Sequence, residues 1–283
     1  MTTIAVTGAT GQLGHYVIEQ LKQKVAANSI VALVRNPAKA AALGVTARQA
    51  DYAQADALET ALTGVNTLVL ISSSEVGQRA QQHSNVIQAA KNTGVQHIIY
   101  TSLLHADTSP LSLAEEHRTT EAELKASGLT YTILRNGWYT ENYLGSVGAA
   151  LEHGALIGSA GQGRIASATR EDFAAAIVAV ATSTGHANAT YELAGDSAWT
   201  LSDLATEVSK QSGKTVVYNN LPEAEYAKAL AGFGLPEGLA QAIASWDVGA
   251  SQGALFSDDK SLSKLIGRPT TPLATAVERA LNA

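Results

Sequence analysis

Three glycines at a spacing of three, Gly8, Gly11 and Gly14, stand between an apolar run, Ile4-Ala5-Val6, and an apolar helical stripe, Val17, Ile18, Leu21 and Val25. The order is strand, glycine-rich turn, helix. Such a turn lets backbone N–H groups at a helix N-terminus close around a pyrophosphate. Thr10, Gln12 and Leu13 fill the turn between the glycines. The spacing G-x-x-G-x-x-G departs from the common G-x-G-x-x-G. The physical need is unchanged: a tight turn, close approach of backbone to phosphate, and close packing of helix on strand. A ligand-free turn would use the same residues, so the glycines count mainly through the α/β context that follows.

The second apolar run ends Val34-Arg35-Asn36-Pro37. A site for NAD usually carries an acid here, bonded to the ribose 2′-hydroxyl. This chain has Arg35 instead, whose guanidinium can clamp a 2′-phosphate through two bonds. The sequence therefore favours NADPH, against the plain reading of a solvated arginine at a strand end. Asp51, after the third strand, can meet an adenine edge or cap the next helix. Ser72, Ser73 and Ser74 end the fourth strand, where small hydroxyls allow close approach of ribose and pyrophosphate. An ordinary serine-rich turn reads the same.

The elements that must position these residues are legible as continuous apolar runs, the signature of buried parallel strands. They fall at Thr3–Thr7, Ile30–Val34, Thr46–Gln49, Thr67–Ile71, His97–Thr101 and Thr130–Leu134. Helices fit near 12–24, 37–42, 54–62, 77–93 and 112–126. The expected fold class is α/β: a doubly wound parallel sheet of Rossmann type with a smaller mixed C-terminal substrate lobe. Residues 1–137 form the dinucleotide-binding part, with some later segments returning to it, and residues 138–283 mainly cover it. In the lobe we expect an irregular aromatic helical stretch at 138–153 and helices at 171–182, 222–231, 236–246 and 271–281. Strands are expected at 189–194 and 214–219. Thr200-Leu201-Ser202-Asp203 resembles a capping box opening another helix.

Composition narrows the classes. The chain has 283 residues, a formal charge of −6, and no cysteine. Thiolate chemistry, disulfides and iron–sulfur clusters are excluded. The basic residues are scattered, which argues against nucleic acid. No clustered metal-ligand set is visible. The longest apolar run, Phe173 to Ala181, is far short of the roughly 20 residues of a spanning helix. A soluble, cytoplasmic protein without membrane insertion is expected, and a homodimer is compatible with the chain.

Longer motifs carry a family resemblance. Thr7–Gly14, Val34-Arg35-Asn36-Pro37, Asp51-Tyr52, Ser72–Arg79, Tyr100-Thr101-Ser102 and Leu134-Arg135-Asn136-Gly137-Trp138-Tyr139 together resemble the NmrA-like atypical short-chain dehydrogenases. The likeness continues through Tyr191–Asp196 and Lys264-Leu265-Ile266-Gly267, covering nearly the whole length. It is strongest to the quinone-reducing bacterial members. It implies NADPH as hydride donor, no flavin or metal, and a small planar quinone as acceptor, with triphenylmethane dyes a neighbouring substrate class. It also implies that Asn136, Gly137, Trp138 and Tyr139 surround the nicotinamide and that Gln78 reaches the coenzyme.

Most short-chain dehydrogenases use a Ser with Tyr-x-x-x-Lys, in which the lysine tunes a tyrosine acid. This chain has no Tyr-x-x-x-Lys. Ser102 can keep the serine position. His117 and Glu121 share a helix face at the corresponding spacing. They can relay a proton or be part of a solvated charged face. A quinone needs little acid catalysis, because reduction yields an aromatic hydroquinone and the proton can follow from water. Holding the reactants together can supply about 7–11 kcal/mol. Trp138, Tyr139 and Tyr143 can wall a flat substrate, His105 can face the cleft, and Phe233 can cap it as a flap. Packing within the lobe or at its surface explains these residues equally well. His83 reads as a core histidine.

Two functions follow. One is an NADPH:quinone oxidoreductase transferring hydride directly. The other is a non-catalytic NAD(P)-binding redox sensor acting through a protein partner. The aromatic segment 138–143 beside the coenzyme turn favours the enzyme.

Overall fold

The computed structural model describes residues 2–282. Seven parallel strands form the central sheet: β1 (Ile4–Thr7), β2 (Ile30–Val34), β3 (Thr46–Gln49), β4 (Thr67–Leu70), β5 (His97–Leu103), β6 (Thr130–Asn136) and, after an excursion through a short β7 (Ala155–Gly158), β8 (Ala189–Leu193). Their order is β3-β2-β1-β4-β5-β6-β8. The strand order reverses beside β1, which opens a crevice at the carboxyl ends of β1 and β4.

Alternation along β1 shows why these strands read as apolar throughout. Ile4 and Val6 face one core, packed by α1 (Gln12–Leu21). Ala5 faces the other, packed by α2 (Ala55–Leu62), α3 (Arg79–Asn92) and α4 (Ala114–Ala126). Both faces are covered, so no strand position can be polar without a partner. The lobe helices α5 (Glu141–Leu144) and α6 (Val147–His153) precede α7 (Arg170–Thr182), which returns to pack on α1. Phe173, Ala174 and Ile177 of α7 are fully buried there.

The lobe then continues with α8 (Leu201–Ser212), β9 (Val217–Asn220), α9 (Glu223–Gly232) and α10 (Glu237–Ser251). It ends with α11 (Ser261–Ile266), which packs on α7, and α12 (Leu273–Leu281). Helix α8 opens with the capping box: the Thr200 side chain accepts from the Asp203 N–H and Asp203 accepts in return from Thr200 N–H. Strand β7 pairs in parallel with β9. This pair has its own core of Val147, Leu156, Trp199, Leu204 and Val216.

The structure differs from the sequence reading at several element ends. Strands β5 and β6 run on to Leu103 and Asn136 because their register pairs Ser102 with Arg135 and Leu103 with Asn136. The 37–42 segment is a 3-10 turn, Pro37–Leu43, closed by Gly44 at φ 67°. Strand β9 begins at Val217. Strand β7 and helix α11 were not expected; they have four and six residues and carry no pattern of their own. Among the described residues no helix is long and apolar enough to cross a membrane.

Candidate coenzyme cleft

The crevice is an open cleft of about 830 Å³, within the range of small-molecule sites. Its floor is the β1–α1 turn. Gly8 takes φ +57°, and the Gly11 N–H donates to Gly8 O at 2.8 Å. A Cβ on Gly14 would lie 2.2 Å from Gly8 O and 2.7 Å from Ala9 Cα. Only glycine lets the helix come this close. Helix α1 starts at Gln12 behind Gly11, with no side-chain cap. Its first N–H groups and the positive end of the helix dipole therefore face the cleft, where an anion is favoured. Gly8, Thr10, Gly11, Gln12, Leu13 and Gly14 all line it.

The loop after β4 is held from behind. Ser72 N–H donates to Thr101 Oγ1 (2.8 Å) and Ser73 N–H to His83 Nε2 (3.0 Å). His83 must keep that nitrogen unprotonated, so Nδ1 donates to Thr120 Oγ1 at 3.0 Å. Burial, followed by the Arg79 charge, lowers the imidazole pKa to about 3. Arg79 Nε donates to Ser73 O at 2.7 Å. His83 is thus the core histidine expected, and it also fixes the backbone of the serine loop. Ser72, Ser73 and Ser74 line the cleft.

At the mouth, Arg35 pairs with Glu75 at 3.3 Å, and Glu75 accepts from Gln82 Nε2 at 2.7 Å. Lys39 lines the same end. Asp51 also lines the cleft, and its Oδ1 accepts from Ala53 N–H at 3.0 Å. That bond closes a turn before α2 rather than capping it, since the helix N-cap is Gln54. Gln78 is exposed and outside the lining; Arg79 and Gln82, one and four residues on, take the place expected of it.

At the opposite end, Tyr139 lines the cleft with Arg170, whose guanidinium lies 4.5 Å from the tyrosine ring centroid. Burial raises the Tyr139 pKa. Phe173 meets that ring edge-on at 5.4 Å. Asn136 and Gly137, expected around the coenzyme, lie outside the cleft lining; Asn136 is buried, and neither its Nδ2 nor its Oδ1 makes a hydrogen bond within the protein. Gly137 N–H donates to Leu193 O at 2.7 Å. Trp138 instead faces the lobe core, edge-on to Trp246 at 5.8 Å.

The remaining sequence candidates lie outside the cleft lining. Ser102 Oγ donates to Glu121 Oε1 at 2.6 Å. Arg135 grips the same carboxylate through Nε (2.9 Å) and Nη2 (2.8 Å), and reaches Glu192 through Nη1 at 2.8 Å. His117 Nδ1 bonds Tyr100 Oη at 2.7 Å, not Glu121. Burial holds His117 well below the usual histidine pKa. The solvated-face reading of His117 and Glu121 is corrected here: both are buried, because Arg135 and Tyr100 meet them from the sheet.

His105, at φ +53°, bonds Glu192 through its N–H (2.8 Å) and contacts Phe256 O through Nε2 (3.3 Å). Tyr143 packs edge-on to Trp199 at 5.2 Å, with a buried hydroxyl that has no partner. Phe233 is 64% exposed at the end of α9.

Lys39, Glu75, Arg79, Gln82 and Arg170 were missed by sequence reasoning. Lys39 had a signal, a second cation four residues after Arg35. The others reach the cleft only through tertiary folding.

An anion-receptive helix start, a serine loop and exposed cations along one cleft at the switch point of a doubly wound sheet define a dinucleotide-binding protein of the Rossmann type. The chain belongs to the NAD(P)H-binding family, whose model matches residues 8–184. It is 64% identical over 282 residues to quinone oxidoreductase 2 of Escherichia coli (strain K12), covering 99% of each chain. The crystal structure of the E. coli NADPH-dependent quinone oxidoreductase complexed with NADPH superposes with a TM-score of 0.96 over 99% of this chain and all of that one. Citrobacter sp. triphenylmethane reductase complexed with NADP(H) is 40% identical, with a TM-score of 0.95 over 98% of this chain and 100% of that chain.

Proposed function

We propose that this protein is an NADPH:quinone oxidoreductase. The observation that carries the reading is the near-complete likeness to the E. coli quinone oxidoreductase, in sequence and in fold. The bound coenzyme supplies a hydride from its nicotinamide carbon, and a quinone takes it up.

The residues suit that coenzyme. The uncapped start of α1 receives the pyrophosphate, Ser72–Ser74 receive a ribose, and Arg35 with Lys39 faces the 2′-phosphate. Asn136 offers a buried donor and acceptor without partners, the complement of a carboxamide. Tyr139, steadied by Phe173 and Arg170, supplies a flat wall against which a planar acceptor can lie.

Ser102 and Glu121 bond each other and His117 bonds Tyr100 inside the protein, so none of the three carries a proton-transfer step. The chain's part is positioning, and the proton that completes the hydroquinone comes from solvent.

The test mixes purified protein, NADPH and a simple benzoquinone, and follows the near-ultraviolet absorbance of the reduced nicotinamide. Quinone-dependent loss of absorbance is expected. Tight NADPH binding with no consumption by any quinone would replace the enzyme reading with a sensor.

A further inference from the structure

Strand β2 ends without an acid, yet a carboxylate reaches the same place from elsewhere. Glu75 lies on the loop after β4, forty residues beyond Arg35, and its Oε1 sits 3.3 Å from the Arg35 guanidinium. Its position is set from two further sides. Oε2 accepts from Gln82 Nε2 at 2.7 Å, and its backbone N–H donates to Ser73 Oγ at 3.1 Å. Glu75, Arg35, Gln82 and Ser73 all line the cleft, together with Lys39 and Asp51. Among the described residues Arg35 forms an ion pair with Glu75 alone, and its side chain is 76% exposed.

We infer that Glu75 is a specificity-determining residue that sets the balance between the phosphorylated and unphosphorylated pyridine coenzymes. The inference rests on the coenzyme reading above. A 2′-phosphate and the Glu75 carboxylate want the same guanidinium. To seat the phosphate, the carboxylate must give up Arg35 and remain beside a second anion. A bare 2′-hydroxyl makes no such demand: it donates to Glu75 and leaves the Arg35 pair in place. Gln82 supports this second mode. Its amide is oriented by the bond to Glu75, which leaves Oε1 buried without a partner beside the carboxylate, an acceptor suited to a ribose hydroxyl. Arg35 therefore favours NADPH, and Glu75 draws the ratio back toward NADH.

The test uses the full-length protein and two fragments that contain only the adenosine end, ADP-ribose and 2′-phospho-ADP-ribose, titrated calorimetrically at low salt. Glu75→Gln removes the charge and keeps an oxygen to accept from Gln82. A melting curve checks that the variant stays folded. Releasing Arg35 from an exposed ion pair is worth up to about fivefold. The variant should therefore bind the phosphorylated fragment a few-fold tighter and ADP-ribose somewhat more weakly. The NADPH-to-NADH ratio of kcat/KM should rise in parallel.

In an Arg35→Ala background the same change should lose most of that gain. An unchanged ratio of the two affinities would overturn the inference while leaving the coenzyme reading intact. A full gain without Arg35 would overturn the competition on which it rests. A wild-type protein that binds neither fragment would remove the coenzyme reading itself, and the inference with it.

Discussion

At the ends of β1 and β4 the protein holds groups that nothing within it takes up: the uncapped start of α1 and the buried Gln82 carbonyl. At the ends of β5, β6 and β8, Ser102, Glu121, Arg135, Glu192 and the His105 N–H bond one another. Both places carry the residue types that do chemistry. Burial does not separate them either, since Gln82 and Glu121 are both buried. What separates them is unused bonding capacity, because a buried polar group must be partnered by the protein or by a ligand. Asn136, at the seam, falls with the first group although its strand belongs to the second. The Ser102–Glu121–Arg135–Glu192 cluster is therefore best understood as a clasp for β5, β6, β8 and α4.

The sharpest way to break that contrast is Arg135→Ala. It strands the buried Glu121 carboxylate and takes a partner from the half-buried Glu192, and removing one partner from a buried ion pair typically costs about 3–5 kcal/mol. A correspondingly lower denaturation midpoint is expected. A variant of native stability that had lost hydride transfer would move the cluster into the reaction.

Asp247 offers the complementary case, a buried carboxyl that among the described residues forms no ion pair. Burial raises its pKa to about 6, and the Ser159 N–H (2.9 Å) only partly opposes the rise. The folded protein thus holds a proton that the unfolded chain releases near pH 3.8. The associated stability is complete below that pH and is lost as pH rises through about 6. Asp247→Asn should be more stable than the wild type above neutrality by about 3 kcal/mol, with the difference vanishing near pH 4. Denaturant melts at several pH values measure this, and a pH-independent difference would disprove it.

On the coenzyme side, Gly14→Ala places a methyl against backbone that cannot move away. Overpacking of this kind costs about 1–3 kcal/mol. Calorimetry should show a loss of NADPH affinity greater than the loss of stability alone would cause. Unaltered affinity would mean that the turn does not carry the pyrophosphate.

The smallest effect is expected at His117. In His117→Gln the amide can still meet Tyr100, and single-turnover hydride transfer should be unchanged. A loss of about 10²-fold or more would be the mark of a general acid.

The same contrast explains what could be read in the sequence. Strands β1, β2 and β4 to β6 were legible because burial on both faces forces mainly apolar runs, while β3 lies partly exposed at the sheet edge. Gly8 and Gly14 were legible because a positive φ favours glycine at the first and a backbone contact leaves no room for a Cβ at the second. Glu121 was not, since a charged helix looks solvated until Arg135 arrives from a strand fourteen residues later. Glu75, Gln82 and Arg170 carry no local pattern, and only tertiary folding places them on the cleft. Strand β7 has four residues and pairs only with β9, so it does not stand out alone, whereas β9 was legible with its start three residues early.

The path of the chain between sheet and lobe has a consequence of its own. It leaves the sheet after β6, returns as α7 and β8, leaves again for α8 to α10, and comes back as α11. Thr132 pairs with Ala189 across one of these excursions. The upper and lower bodies are sewn together by repeated passes, so no single cut between them would release two self-sufficient pieces. Any movement of the lobe against the sheet must therefore bend several chain crossings together.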